Sequence, residues 1–493
     1  MAGTVTSWRR RWGLAWALAT ALACVAAGAW TRPVTGDNQV YFFVAERAAS
    51  GVPPHLSLVD SKSQLSGLIA AAAMVVGREV GLDDVRSGRV ASIALAAAAV
   101  ALTAELGLLV TGAQAGAQLA ALALLTSRGF VKHAAIGTNP KIFLITFVVL
   151  AHLLCVRRRW WAAGVAACAA FLCWQPGLAV VGAVAVEALA VAGGGPLAAL
   201  ANFAGALAVF AAYQLYYATY GVVAEQLRQC YVMTLGSVHG VRSLHRAASA
   251  LWFVMSDAGR RHGSLWLAPV AWFTSMAVGT CALIARPSAT MRWLRERPGR
   301  VSLVLASIVV TAFTLYDHQG LPDLFLPAPY FALATAWLVV SAADRATAVT
   351  GLPHLRAALA VLIAAVMVGQ GMGGGIAERE RSPSLDDQYR AGAATRRYVD
   401  GYSGVWVYRS VHLLGFAHAD NWVPYALLYD DIETRFPIRG FRPLRDGRMP
   451  EVILAKKGHV PGGRGYLRKE YRELADPLLA RENVTVYVRR PSE

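Results

Sequence analysis

The chain is poor in charge. Of its 493 residues, 16% are Asp, Glu, Lys or Arg, against about 25% in an ordinary soluble domain. That shortage excludes a single soluble globular domain. With 56% hydrophobic residues, it excludes intrinsic disorder as well. Cysteine is scarce too. The six cysteines form no CxxC pair and none follows Cys281, which excludes a disulfide framework and a zinc site of that spacing. Repeats of solenoid period are absent, and low complexity is confined to Ala-rich stretches. Acids are outnumbered, 30 against 47 basic residues, for a formal charge of +17. In a soluble protein that excess would suggest nucleic acid. Here no nucleic-acid partner is expected, because basic residues collect at the cytoplasmic ends of membrane helices and at anionic headgroups.

What is present is long apolar sequence, with a mean hydropathy of +0.43. The fold class it predicts is a polytopic α-helical protein of the cell membrane. Arg9-Arg10-Arg11 precede an apolar run from Trp12 to Trp30. That run is longer than the core of a signal peptide and reads as an uncleaved first helix with its basic end in the cytoplasm. Further runs lie near 64–80, 90–111, 141–156, 160–175, 177–192, 196–218, 265–285, 300–316, 326–345 and 354–372. Several are shorter than the roughly 20 residues of an upright span.

Basic clusters assign the sides. Arg78, Arg86 and Arg89 mark one cytoplasmic loop, Arg157 to Arg159 a second, Arg286 to Arg300 a third, and Arg345 with Arg356 a fourth. The alternation places 31–63, 219–264, 317–325 and 376–493 outside. It closes with about eleven crossings only if 114–128 is re-entrant or interfacial. Segment 219–264, with Arg228, His239, Arg242, His245, Arg246, Arg260 and Arg261 among apolar residues, reads as an amphipathic stretch on the outer leaflet. Glu105 and Glu187 fall inside apolar runs, where hydrogen bonds to neighbouring helices are expected of them.

The chain thus divides into a membrane domain, 1–375, and a small outer α/β domain, 376–493, after the Gly371–Gly375 hinge. Gly404–Arg409, Val452–Lys457 and Val484–Arg489 read as strands. Asp386–Tyr398, Tyr425–Phe436 and Lys469–Arg481 read as helices between them. His412, His418 and Asp420 share one stretch, but their spacing matches no standard zinc pattern and they read as surface residues.

The chemistry concentrates in the loop after the first helix. Gly36-Asp37 stands at the membrane exit, and Asn38 to Ser50 forms a juxtamembrane amphipathic helix containing Tyr41. Gly51-Val52-Pro53-Pro54 ends it, and Asp60 and Lys62 open the next apolar run. This order resembles the GT-C glycosyltransferases. In particular it resembles the family 39 users of polyprenyl-phosphate sugars, such as protein O-mannosyltransferases and lipid A aminoarabinose transferases. The matching residues are Asp37, Tyr41, Gly51 with Pro53, and the D-x-K-x-x-L segment Asp60 to Leu65. The match is weaker at Trp174-Gln175-Pro176-Gly177 and at His318 to Asp323.

The resemblance implies transfer of a sugar from a polyprenyl-phosphate donor to a hydroxyl of a glycan, lipid or protein acceptor, with inversion, on the non-cytoplasmic face. Asp37 would be the base, Asp60 a second catalytic carboxylate, and Lys62 the partner of the leaving phosphate. Tyr41, His318, Gln319 and Asp323 would contact substrate. Relatives often carry a second acid beside the first. Here Asn38 follows Asp37, so no protein metal site is expected, although a divalent metal stays open as a cofactor. The alternative is a transporter or lipid-sugar flippase, against which the lack of internal repeats counts.

Overall fold

The computed structural model describes residues 2–127, 129–191, 194–233, 267–296, 298–316, 321–352, 354–375, 384–423, 450–459, 467 and 469–491. Most of these are helical. Helices α1 (Ala2–Ala26), α4 (Asp84–Thr111), α5 (Gln114–Leu125), α6 (Phe130–Ile136), α7 (Pro140–Val156), α8 (Trp160–Cys173), α9 (Leu178–Ala190), α10 (Pro196–Thr219), α12 (Leu267–Ala285), α14 (Arg300–Tyr316), α15 (Ala328–Thr350) and α16 (Leu355–Gly375) make up the bundle. Two short helices, α2 (Asn38–Ala49) and α3 (Leu65–Glu79), follow α1. Two more, α11 (Val223–Leu227) and the amphipathic α13 (Pro287–Glu296), connect later members. Among the described residues, α4, α10 and α15 are each long and apolar enough to cross a membrane. The pairs α5–α6 and α13–α14, bent by 59° and 107°, raise the number to five by length and composition.

Packing depends on small residues. A Cβ on Gly164 of α8 would lie 1.9 Å from the Asn202 carbonyl oxygen of α10, and one on Gly205 would lie 2.1 Å from that of Trp161. Only glycine lets the two backbones touch this closely, and dispersion between close backbones is what holds helices together in lipid.

The sheet domain caps one end of the bundle. Ser384 and Asp387 form a capping box at the start of α17 (Leu385–Gly401). The four strands β1 (Val405–Tyr408), β2 (Val452–Lys456), β3 (Tyr471–Leu474) and β4 (Val484–Arg489) stand in the order β1-β2-β4-β3, with β1 parallel to β2 and the other pairs antiparallel. Side chains alternate between faces. Val405, Val407, Val452, Leu454 and Val486 pack with α17, α18 (His412–Ala417) and α19 (Pro477–Arg481), while Trp406, Tyr408, Ile453 and Tyr471 form the other face. The three expected strands are present. Residues 469–481, expected to be one helix, instead hold β3 and the short α19, because Pro477 starts a helix and Asp476 caps it. The expected helix Tyr425–Phe436 lies outside the described residues.

Two expectations about direction are corrected. Residues 64–80 do not lead away from the sheet domain. Helix α2 lies flat against the domain, with Gln39 Nε2 3.5 Å from His412, Glu46 2.9 Å from His418 Nδ1 and Arg47 2.9 Å from Asp420. Helix α3 in turn lies along α2. Lys62, just before it, bonds Tyr41, and Arg78, in its last turn, bonds the Ala49 carbonyl. Both ends of α3 therefore sit at the domain-side end.

Arg78, Arg86 and Arg89 sit there with it, not on the opposite side. Arg89 is fully buried and donates to the carbonyls of Ala29 at 2.8 Å, Arg32 at 2.6 Å and Ile136 at 2.9 Å. One guanidinium thus ties the exit of α1, the end of α6 and the start of α4 at a single level. Helix α4 then runs alongside α7 in the same direction, since Thr146 Oγ1 donates to the Leu95 carbonyl at 2.8 Å and Arg157 pairs with Glu105 further along. Helices α5 and α6 return parallel to α1, marked by Trp16 Nε1 to Gln118 at 2.7 Å. Gln114–Leu125 and Phe130–Ile136 together are long and apolar enough for one bent crossing, with a 59° break between them.

Candidate active site

The loop from 31 to 63 is built into the sheet domain. Phe43, Val44 and Leu58 belong to the core under the sheet. Gln388 of α17 brackets Val34, accepting from its N–H at 2.7 Å and donating to its carbonyl at 3.1 Å. These contacts fix the loop over the end of the bundle.

Within it, Asp37 stands at the start of α2, exposed, and makes no capping bond to that helix. One turn on, the Tyr41 hydroxyl accepts from Lys62 Nζ at 2.6 Å, and the ammonium also lies 5.0 Å from the ring centre. Asp60 is not a helix cap. Its two oxygens accept from the Lys62 N–H at 3.1 Å and from Gln64 Nε2 at 2.6 Å, forming a turn that aims Lys62 at Tyr41. Burial pushes the Tyr41 hydroxyl up to about 12, so it stays protonated. Burial also opposes the charge on Lys62, but the Tyr41 oxygen, Asp60 and Asp37 outweigh it and hold the ammonium protonated. Tyr41, Asp60 and Lys62 are thus joined by hydrogen bonds, and Asp37, one turn before Tyr41, has a charge that acts on both Tyr41 and Lys62.

The turn carrying Asp60 and Lys62 is clamped by Gln229 and Tyr213, which sequence reasoning passed over, and by Gln175 of the weaker-matching Trp174–Gly177 motif. Gln229 is fully buried in a π turn, Arg228–Met233, that follows α11. Its Oε1 accepts from the Asp60 N–H and from His55 Nδ1, both at 3.1 Å. Its Nε2 donates to the His55 carbonyl at 2.9 Å and to Glu225 at 2.7 Å. Gln175, at the break between α8 and α9, donates to the carbonyl of Ser61 at 2.5 Å and of Cys230 at 3.0 Å. The Tyr213 hydroxyl of α10 accepts from the Gln64 N–H at 2.9 Å. Burial holds His55 below its ordinary pKa and so neutral. The sequence signals were the Pro176 break beside Gln175 and the run Glu225 to Gln229. Neither signal names its partner without the fold.

Asp323 is buried and committed to Lys141, 2.6 Å away. Lys141 also lies 4.5 Å from the ring centre of Trp174. His318 and Gln319 lie outside the described residues, as does 219–264 beyond Met233.

The carboxylates of Glu46 and Asp84 and the imidazole of His418 lie within 4.8 Å of one another, close enough to share a cation. Arg78 already holds the same oxygens, 2.9 Å from Asp84 and 3.5 Å from Glu46, and a guanidinium there opposes a metal ion. His418 is raised above its ordinary pKa, chiefly by its bond to Glu46. His418 lies at the surface as expected and also struts the domain against α2, whereas His412, also expected at the surface, is buried.

The whole chain matches two crystal structures of ArnT from Cupriavidus metallidurans. One, bound to undecaprenyl phosphate, superposes with a TM-score of 0.61 over 99% of both chains at 13% identity. The apo form superposes with 0.51 over 98% of both at 14% identity. The chain has the ArnT fold. This is a polytopic helical membrane fold, and it agrees with the resemblance carried by Asp37, Tyr41, Asp60 and Lys62. No protein-family model and no curated sequence matches.

Proposed function

We propose that the chain is a membrane glycosyltransferase that moves a sugar from a polyprenyl-phosphate donor to an acceptor hydroxyl, with inversion, on the face that carries the sheet domain. The observation that carries this reading is the Lys62 ammonium, bonded to the Tyr41 hydroxyl on a turn that Asp60 holds through the Lys62 backbone N–H, with the charge of Asp37 acting on it, at the end of the bundle. It stands within a fold whose solved counterpart binds undecaprenyl phosphate. Eleven crossings fit the packing when α5–α6 replaces 64–80 and the shorter apolar helices are included. The sheet domain would then face away from the cytoplasm.

The chemistry follows from the two charges. As the acceptor oxygen bonds the anomeric carbon, its proton passes to Asp37. The bond from that carbon to the phosphate oxygen breaks on the opposite side, and its electron pair leaves with the phosphate. Lys62 neutralises that charge as it grows. Tyr41 keeps the ammonium in place, and Asp60 holds the turn that presents it. Hexosyl and pentosyl donors fit these requirements alike.

The test is to incubate the purified protein in nanodiscs with labelled polyprenyl-phosphate sugars and an envelope extract as acceptor. Donor consumption with release of free polyprenyl phosphate is expected, and loss of both in Asp37→Asn. Donor that crosses the bilayer of proteoliposomes uncleaved would establish the flippase instead.

A further inference from the structure

The two lysines at this end of the bundle have different partners but share a neighbour. Trp174 and Gln175 are consecutive. Trp174 carries the Lys141 ammonium against its ring, and Gln175 bonds the carbonyl of Ser61, which stands between Asp60 and Lys62. Lys141 and Lys62 therefore flank the same short stretch of chain. The charges of Lys62 and Asp37 both reach Lys141. Lys141 comes from the first turn of α7, far in sequence from the first loop. It is buried with Asp323, which sits in the turn Leu321–Phe325 ahead of α15.

A charge count gives this placement a purpose. A phosphate linked to both a sugar and a lipid carries about one negative charge, and once the sugar departs the phosphate monoester carries up to about two. Lys62 supplies one positive charge. A buried ion pair contributes little net stability when compared with a well-packed apolar pair, so stability alone does not account for Lys141–Asp323. We infer that Lys141 is the second ammonium for the lipid-linked phosphate, parked on Asp323 until the leaving phosphate draws it across. Asp323 is then a positioning residue rather than a substrate contact. This inference rests on the proposed transferase reading.

The experiment compares wild type, Lys141→Met, Asp323→Asn and the double variant in nanodiscs. Binding of undecaprenyl phosphate is measured against binding of undecaprenol, which lacks the phosphate, with thermal unfolding followed in parallel. Wild type should prefer the phosphate. The double variant keeps the charge balance, so it should fold with an unchanged midpoint and still bind undecaprenyl phosphate at least tenfold more weakly, with undecaprenol unaffected. Asp323→Asn alone should bind the phosphate at least as tightly as wild type. Wild-type phosphate affinity in the double variant would overturn the role of Lys141 and leave the transferase reading standing. Absence of any phosphate preference in wild type would overturn both.

Discussion

The two ends of the bundle are both basic, and they use their charge differently. At the far end, Arg157, Arg158, Arg159, Arg292 and Arg295 are exposed. At the domain-side end, Arg47 and Arg89 are buried, Arg89 on three carbonyls, while Arg78 is held by Asp84 and Glu46. A rule that counts lysines and arginines along the sequence treats the two sets alike. Only the fold shows that the first set is exposed, with Arg157 paired to Glu105, while Arg47 and Arg89 of the second are buried. That is why the cluster at 78–89 pointed to the end opposite the sheet domain, whereas it lies at the same end.

The contrast can be broken or sharpened by substitution. The largest effect belongs to the site. Asp37→Asn should lower transfer by about 100-fold to 10,000-fold, the range for a lost general base. Arg159→Ala at the far end should leave turnover unchanged within the assay. Radiolabel transfer in nanodiscs reads both. A loss of activity in Arg159→Ala matching that of Asp37→Asn would erase the distinction between the ends.

Stability comes next. Arg89→Met orphans two buried carbonyls and a partly buried third and should cost on the order of 3 kcal/mol. Arg159→Ala should stay within about 0.5 kcal/mol. Thermal unfolding in detergent distinguishes them, and equal midpoints would mean the Arg89 hub is dispensable.

Sidedness follows. In a Cys281→Ser background, which removes the exposed native thiol, Leu82→Cys and Arg159→Cys should react with a membrane-impermeant reagent from opposite sides. Labelling from the same side would restore 64–80 as a crossing.

The smallest effect is a pH dependence. His418 has its pKa raised in the folded state by Glu46. Its contribution to docking is therefore fully present below the ordinary histidine value of about 6.5 and is lost as pH rises through the raised value. The side chain is more than half exposed, so the effect should stay under about 1 kcal/mol. Protease susceptibility of the 402–423 region should rise modestly with pH in wild type and become flat in His418→Gln.

Local signals carried much of this to the surface of the sequence. Asp37, Tyr41, Asp60 and Lys62 were legible because one short loop holds them all, so their spacing is nearly their geometry. The three strands were legible as short runs rich in Val, Ile and aromatic residues, alternating only in Val484–Arg489. Helix α3 misled because its composition is apolar, yet at 15 residues it is short for a span, and charged residues close both its ends. Strand β3 was hidden in YREL, with a mostly polar face at a sheet edge. Gln229, Gln175 and Lys141 acquire meaning only from residues more than a hundred positions away, and no pattern in one sequence announces such pairs.

The most direct measurement of the central claim is photo-crosslinking with a polyprenyl phosphate carrying a diazirine next to the phosphate, mapped by mass spectrometry. The account predicts adducts on the peptides that carry Tyr41, Asp60 to Gln64 and Asn139 to Lys141, suppressed by unlabelled undecaprenyl phosphate and weakened by Lys62→Met. Adducts confined to the far end, around Arg157 to Arg159 or Arg292 to Arg295, would contradict it.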